Sequence, residues 1–294
     1  MTIVEYTAEP ADRVWTKEWE KGTITRLAEL AGYAIPERPL STRPPAPGDA
    51  SAQYYACYAS VAGLDQFIYQ SCAGGMALVD DSEFQLLLTR QIGDDGSHAQ
   101  RYREVVAKQT GADPLSAIAR EARHQRDLVG DLTGRGLAGF LAFEISYELY
   151  TAPEFLVLGR TALISDADLL VSGAERFGPD EFVHRQGVAN WWRVHLGTLA
   201  SEEAAELTDE VLRLDKQLWQ RRNDDIDQRW LVAEDATQAD YRLIRAIREA
   251  WRQEVHTFLF SDRACAQQQA TSGSSGIRAG KTESNSDPVG QYRP

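Results

Sequence analysis

Apolar residues recur at helical intervals along most of the chain, and no stretch alternates apolar and polar positions as a half-buried strand would. Within 11–34, Trp15, Trp19, Ile24, Leu27 and Leu30 predict a leading helix, and Pro36, Pro39, Pro44, Pro45 and Pro47 make the segment after it a linker. A proline-free, aromatic-rich stretch from Ala52 to about Met76 (Tyr54, Tyr55, Tyr58, Phe67, Tyr69) predicts a long helix stopped by Gly74-Gly75. Ser82 is the expected N-cap of its antiparallel partner, which carries Phe84, Leu87, Leu88, Ile92, Tyr102 and Val105 to Gly111.

Pro114 opens a further helix ending near Gly130. The segment 136–152 is strongly apolar, its only charges being Glu144 and Glu148, and acids in such a setting need a reason. Beyond Pro153, helices are expected over 155–177 and from Gly178-Pro179 to about Ala200. Two amphipathic helices, 202–231 and 238–259, read as solvated outer cover. The fold class expected is all-α: an N-terminal helix and Pro-rich linker (1–50), a helical domain (51–262) and a disordered tail (263–294).

With 294 residues, 43% of them hydrophobic, the chain can bury a full core. A formal charge of -13 opposes a non-specific grip on phosphate backbone, so nucleic acid is not expected as a partner. Cys57, Cys72 and Cys265 have no metal-type spacing, and their odd number argues against a disulfide framework. Met1 to Pro10 has no basic leader, and no apolar run reaches the length of a membrane span. The expectation is a cytoplasmic protein in a reducing compartment, with no membrane partner.

Two motifs carry chemistry. Asp94-Asp95-Gly96-Ser97-His98 and Asp180-Glu181-Phe182-Val183-His184 each place an acid three residues before a histidine, so that both face one side of a helix. A carboxylate-bridged di-metal site in a four-helix bundle needs two such pairs and one further carboxylate from each remaining helix. For hairpin partners of about 20 residues, that carboxylate falls roughly 30 positions earlier. Asp65 precedes Asp95 by 95 − 65 = 30; Glu148 and Glu144 precede Glu181 by 33 and 37, and either can be the bridge. Asp94 and Asp180, one residue before each metal acid, suit the carboxylates that receive the outer N–H of a ligating imidazole. A third copy, Glu121-Ala122-Arg123-His124, lacks an independent carboxylate partner and reads as structural. Phe67, Phe143, Tyr147 and Phe182 are candidate walls of a pocket beside the metals.

The stretch Asp94 to Tyr102, the stretch Glu181 to Gly187 and the segment Gly139-Phe140-Leu141-Ala142-Phe143-Glu144 resemble the metal helices of ferritin-like di-iron monooxygenases, especially the phenylacetyl-CoA epoxidase catalytic subunit. The resemblance spans roughly 54–200 and departs from the family pattern at Asp65 and Asp95, where longer glutamates are usual. It implies a ferritin-like four-helix bundle with additional outer helices, holding two Fe ions (Mn being chemically possible) with Glu144 rather than Glu148 as ligand. It also implies O2 activation on an aromatic or acyl-type small-molecule substrate, with electrons from a separate reductase and companion oxygenase subunits. A ferritin-like oxidase or iron-handling protein, or a non-catalytic bundle subunit, are the alternatives.

Overall fold

The computed structural model describes residues 14–260. The tail expected to be disordered, Cys265 and the Met1–Pro10 segment lie outside the described residues. Ten α-helices follow in order: α1 (Lys17–Leu30), α2 (Asp49–Gly75), α3 (Ser82–Thr110), α4 (Leu115–Val129), α5 (Gly136–Tyr147), α6 (Ala152–Thr161), α7 (Ala167–Ser172), α8 (Gly178–Thr198), α9 (Ser201–Thr237) and α10 (Arg242–Phe260). Among the described residues the chain is all-helical, its β-type pairing being an isolated bridge between Arg43 and Ile164. No helix among them is long and apolar enough to cross a membrane.

The hairpin of α2 and α3 is the most extensively packed helix pair. Its turn differs from expectation at one atom group: Asp81 caps α3, its Oδ1 accepting from the Phe84 amide at 2.8 Å, and Ser82 is the first helical residue. α4 crosses α2 at Gly63, where a Cβ would collide with the Glu121 side chain and the Ile118 carbonyl, so only glycine permits that approach. At Gly187 of α8 the end of the Leu87 side chain of α3 occupies the space a Cβ would take, so a larger residue there would require that leucine to shift.

α5 has no polar face. Ala138 to Tyr147 are all buried, which places this helix at the centre of the molecule, against α2 on one side and α9 on another. Phe140, Phe143, Ile145 and Leu141 each contribute about 1.5–3 kcal/mol by leaving water. α9 and α10 are more than outer cover, because Val211, Leu214, Leu218, Ile247, Trp251 and Val255 are fully buried against α5, α6 and α8.

The expected helix over 155–177 is not continuous. α6 ends at Thr161, the chain then crosses Arg43 at Ile164, and Asp166 caps α7 by accepting from the Asp168 and Leu169 amides. α8 does begin at Gly178 with Pro179 in its first turn, as expected, but no break precedes it. α7 runs through a π-helical turn, Gly173–Phe177, straight into α8, and Pro179 is accommodated because the widened turn does not need its missing N–H.

Candidate metal centre

Four helices bring acids and imidazoles to one buried point. α3 contributes Gln91, Asp95 and His98 along a single face, at the i, i+4, i+7 spacing of a buried stripe. α8 contributes Glu181 and His184, α2 contributes Asp65, and Glu148 stands at the C-terminal cap of α5.

The ligand atoms of Asp95, His98 and Glu181 lie within 4.8 Å of one another, as do those of Asp95, Glu148 and His184. His98 Nδ1 is 3.4 Å from Glu181 Oε1 and 3.9 Å from Asp95 Oδ1. His184 Nδ1 is 3.9 Å from the same Asp95 oxygen, 3.9 Å from Glu148 Oε2 and 4.0 Å from Glu181 Oε2. Two atoms bound to one cation at about 2.1 Å are separated by roughly 3.0 Å when adjacent and about 4.2 Å when opposite, so these spacings fit a shared ion in each half. Asp95 and Glu181 face both histidines, which is the position of bridging carboxylates. Asp65 adjoins the His98 half, where His98 and Glu181 are the charges it feels most strongly.

The chemistry of the donor set supports this fit. Asp65 Oδ2, both Asp95 oxygens, Glu148 Oε2 and His184 Nδ1 are buried without any hydrogen-bond partner. Leaving such atoms unpaired costs about 1–3 kcal/mol each, and cations between them would satisfy all of them together. Burial pushes the carboxyls of Asp95 and Glu148 well above the usual range, and their acidic neighbours push them further. Burial drives Asp65 the same way, with His98 opposing and Glu181 adding to it. Burial would also raise Glu181, but the hydrogen bond from His98 and the charges of both histidines outweigh it and hold that carboxyl low.

Glu144 is not in this group. Its Oε1 accepts from the Cys72 thiol at 3.3 Å and its Oε2 from Gln91 Nε2 at 3.4 Å, and burial lifts its carboxyl to about 7. Glu148 Oε1 takes the shorter bond from Gln91 Nε2, 2.9 Å, which leaves Oε2 aimed at His184. The geometry thus favours Glu148 over Glu144, the glutamate that the family resemblance implied. Gln91, which orients Glu148, was not anticipated, although a polar residue one turn before Asp95 on an apolar stripe was a visible signal.

Asp94 and Asp180 sit behind the histidines in a crossed arrangement. His98 Nε2 is 3.2 Å from Asp180 Oδ2, and His184 Nε2 is 3.2 Å from Asp94 Oδ2. Each motif's leading aspartate therefore orients the imidazole of the other helix and directs its Nδ1 inward. Arg90 bonds both aspartates, at 3.1 and 3.3 Å, and ties α3 to α8 above the site. Asp94→Ala should lower metal affinity about 10–100-fold and perturb the half containing His184, not that containing His98 of its own helix. Titration with Co(II), followed through its ligand-field bands, checks this, and equal perturbation of both halves would refute the crossed pairing.

A cavity of about 500 Å³ adjoins the site. Asp65, His98 and Glu181 form part of its wall, whereas Asp95, Glu148 and His184 do not. Of the expected pocket residues Tyr147 lines it; Phe67 and Phe143 are buried in an aromatic cluster with Tyr147, and Phe182 packs on the core elsewhere. The apolar wall comes instead from Leu64, Ile68, Phe177 and Leu158. Phe177 also packs on the His98 ring at 4.4 Å between centroids, so the π-helical turn delivers a side chain to the site's rim. Glu121 and His124 stand apart from the metal residues, paired with Arg229 and Asp225 respectively.

No family model, curated protein or solved structure matches this chain.

Proposed function

We propose that the protein is a di-iron oxygenase of the ferritin-like kind, which uses O2 to hydroxylate or epoxidise a small organic substrate. The observation that carries this reading is the buried, two-fold arrangement of Asp95, His98, Glu148, Glu181 and His184, whose ligand atoms form two groups sharing Asp95, with Asp65 buried beside the His98 half but outside both groups. A carboxylate from each of two helices and an acid-x-x-His pair from each of two others is the donor pattern of carboxylate-bridged di-iron bundles. Two iron ions held there would supply O2 activation and transfer of one oxygen atom.

The chain's own residues do the rest. Asp95 and Glu181 face both imidazoles and can bridge; Asp65 and Glu148 each serve one side. Asp94 and Asp180 hold the imidazoles in the tautomer that presents Nδ1 inward. Leu64, Ile68 and Phe177 keep water from the side on which substrate arrives. Because the cavity touches Asp65, His98 and Glu181 alone among the ligands, substrate approaches one metal position while the other stays enclosed.

An iron-handling protein would use the same ligands, yet it needs no apolar cavity of this size beside them, and the cavity favours the oxygenase. Reconstitution with Fe(II) under argon should give about two iron ions per chain. His98→Ala and His184→Ala should each bring that below about one. Unchanged iron content in both variants would exclude the site, whereas intact iron content with O2 uptake uncoupled from any organic product would favour iron handling.

A further inference from the structure

The cavity beside the site follows α2. Gln53, Ala56, Ser60, Leu64, Asp65 and Ile68 line it as one stripe of that helix, a length of about 22 Å at 1.5 Å per residue. It is therefore elongated, with α9 forming the facing wall from Arg222 to Ala233. Exposed Gln53 and Val232 mark its outer end, and the candidate metal residues Asp65, His98 and Glu181 its inner end.

The charges along this wall are not equivalent. Arg229 is neutralised: it bonds Glu121 through Nη2 and Asp225 through Nε at 2.8 Å, and Asp225 also holds His124 at 2.7 Å. Arg222 is different. Its side chain is 95% buried, and its Nη1 donates to the Ser146 carbonyl and hydroxyl, each at 2.7 Å. Its guanidinium lies 3.5 Å over the Tyr147 ring. Nε has no partner, and no carboxylate among the described residues comes within ion-pair distance of it. The acid that feels Arg222 most is Glu154, another cavity residue, whose carboxyl burial lifts to about 7. Glu154 makes no ion pair with it, so Arg222 is a buried cation without a direct counter-charge, and such a group is costly unless something pairs with it.

We propose that Arg222 is the anchor for the head group of an amphipathic monoanion: a substrate with an apolar body lying along α2 and a single carboxylate paired with this guanidinium. The planar fork suits a carboxylate, and Tyr147 beneath it fixes the plane in which the head is received. Tyr147 immediately precedes Glu148, so the anchored head is held in register with the metal-bearing end of α5. The inference rests on the reading of the cavity as a substrate site.

The test uses metal-free full-length protein, so that its outcome is independent of iron loading. Decanoate, decan-1-ol and decylammonium are titrated calorimetrically against wild type, Arg222→Gln, Arg222→Lys and Glu154→Gln, with thermal melts confirming that each variant folds. Decanoate should bind at one per chain, at least tenfold more tightly than either of the other two probes. Arg222→Gln should abolish that preference, Arg222→Lys should keep part of it and Glu154→Gln should enlarge it. Equal affinity for decanoate and decan-1-ol, or tighter binding of decylammonium, would overturn the proposal, the latter because Glu121, Asp225 and Glu154 would then set the charge of the cavity. If Arg222→Gln does not fold, the Arg222→Lys and Glu154→Gln pair still decides. Absence of the anion preference in a wild-type protein that binds iron would refute this inference alone, while failure to bind iron in a protein that still prefers decanoate would refute the oxygenase reading alone.

Discussion

Replacing Asp95 with asparagine should stabilise the metal-free protein and destabilise the iron-loaded one. Both carboxylate oxygens of Asp95 are buried without a partner, and burial followed by the charges of Glu148 and Glu181 pushes its carboxyl well up. In the metal-free fold this group keeps a proton that the unfolded chain gives up above about pH 4. The native state then binds more protons than the unfolded one, so stability is fully present below the unfolded pKa and is lost as pH rises toward the folded value. Glu148 and Asp65 are shifted in the same direction and steepen that loss.

Asparagine carries no charge and releases no proton, so Asp95→Asn should gain about 1–3 kcal/mol at pH 7 in the presence of a chelator, which is about 2–4 °C per kcal/mol for a chain of this size. With iron the sign reverses. Asp95 faces both histidines, and its loss removes a ligand from each half, so iron content should fall below about one per chain and the stabilisation by iron should largely disappear. Calorimetry at pH 5, 7 and 8, with chelator and with Fe(II), measures both arms. A variant less stable than wild type under chelator would mean that Asp95 is paired within the metal-free fold, contrary to the geometry.

The parts of this site that were legible in the sequence share a cause: helical periodicity is rigid enough to count along. Asp65 stands 30 residues before Asp95 across a turn whose length the Gly74-Gly75 pair and Asp81 bracket, and the two residues do reach the same interior. The acid-x-x-His pairs place both groups on one face regardless of what surrounds them. What periodicity could not resolve was the choice between Glu144 and Glu148. They are one turn apart on the same side of α5, and the choice depends on Cys72 and Gln91, contributed by other helices, which give Glu144 its hydrogen bonds and turn Glu148 toward His184. The crossed pairing of Asp94 with His184 and Asp180 with His98 was invisible for the same reason, since it depends on how α3 and α8 face each other.

The cavity was the least legible feature. Phe67 and Phe143 were expected in its wall because they are large, apolar and near the ligands in sequence, yet aromatic side chains of that kind are what close a core. Both are spent on a cluster with Tyr147. Besides Leu64, Ile68, Phe177 and Leu158, the wall facing α2 is made by α9, whose charge pattern suggests a solvated surface. Arg222, Ile226 and Trp230 lie on its inward stripe, and Arg222 reaches across to the Ser146 carbonyl of α5. A helix with many charges is not thereby an outer helix when some of those charges have buried partners. Nothing in Ala162 to Ser165 announces the break between α6 and α7, since it holds no proline or glycine; the segment leaves the helix to bridge Arg43 and to donate from the Leu163 and Ile164 amides to the Thr237 carbonyl.

Removal of Glu20 should cost about 3–5 kcal/mol, more than any other single change on the surface-facing side of the site. Glu20 of α1 and Arg185 of α8 form a buried bidentate pair: Nε and Nη2 each donate to a carboxylate oxygen at 2.9 Å, and Trp15 Nε1 donates to the same carboxylate at 2.9 Å. Burial would lower the Arg185 pKa, but the charge and hydrogen bonds of Glu20, helped by Glu181 and Glu148, raise it instead. Glu20→Ala therefore leaves a guanidinium enclosed with its principal counter-charge gone. Its Nη1 already lacks a partner. The acids that act on it next are the candidate metal ligands Glu181 and Glu148, so the stranded cation should compete for them and weaken any metal binding as well as the fold. Glu20→Met with Arg185→Met removes both charges at similar volume and should recover most of the lost stability, because the penalty lies in the unpaired charge and not in the missing bond. Urea denaturation of the two single variants and the double variant, at constant m-value, gives the coupling energy. A Glu20→Ala cost below about 1 kcal/mol would mean that α1 does not dock on α8 through this pair, and iron affinity would then be indifferent to Arg185.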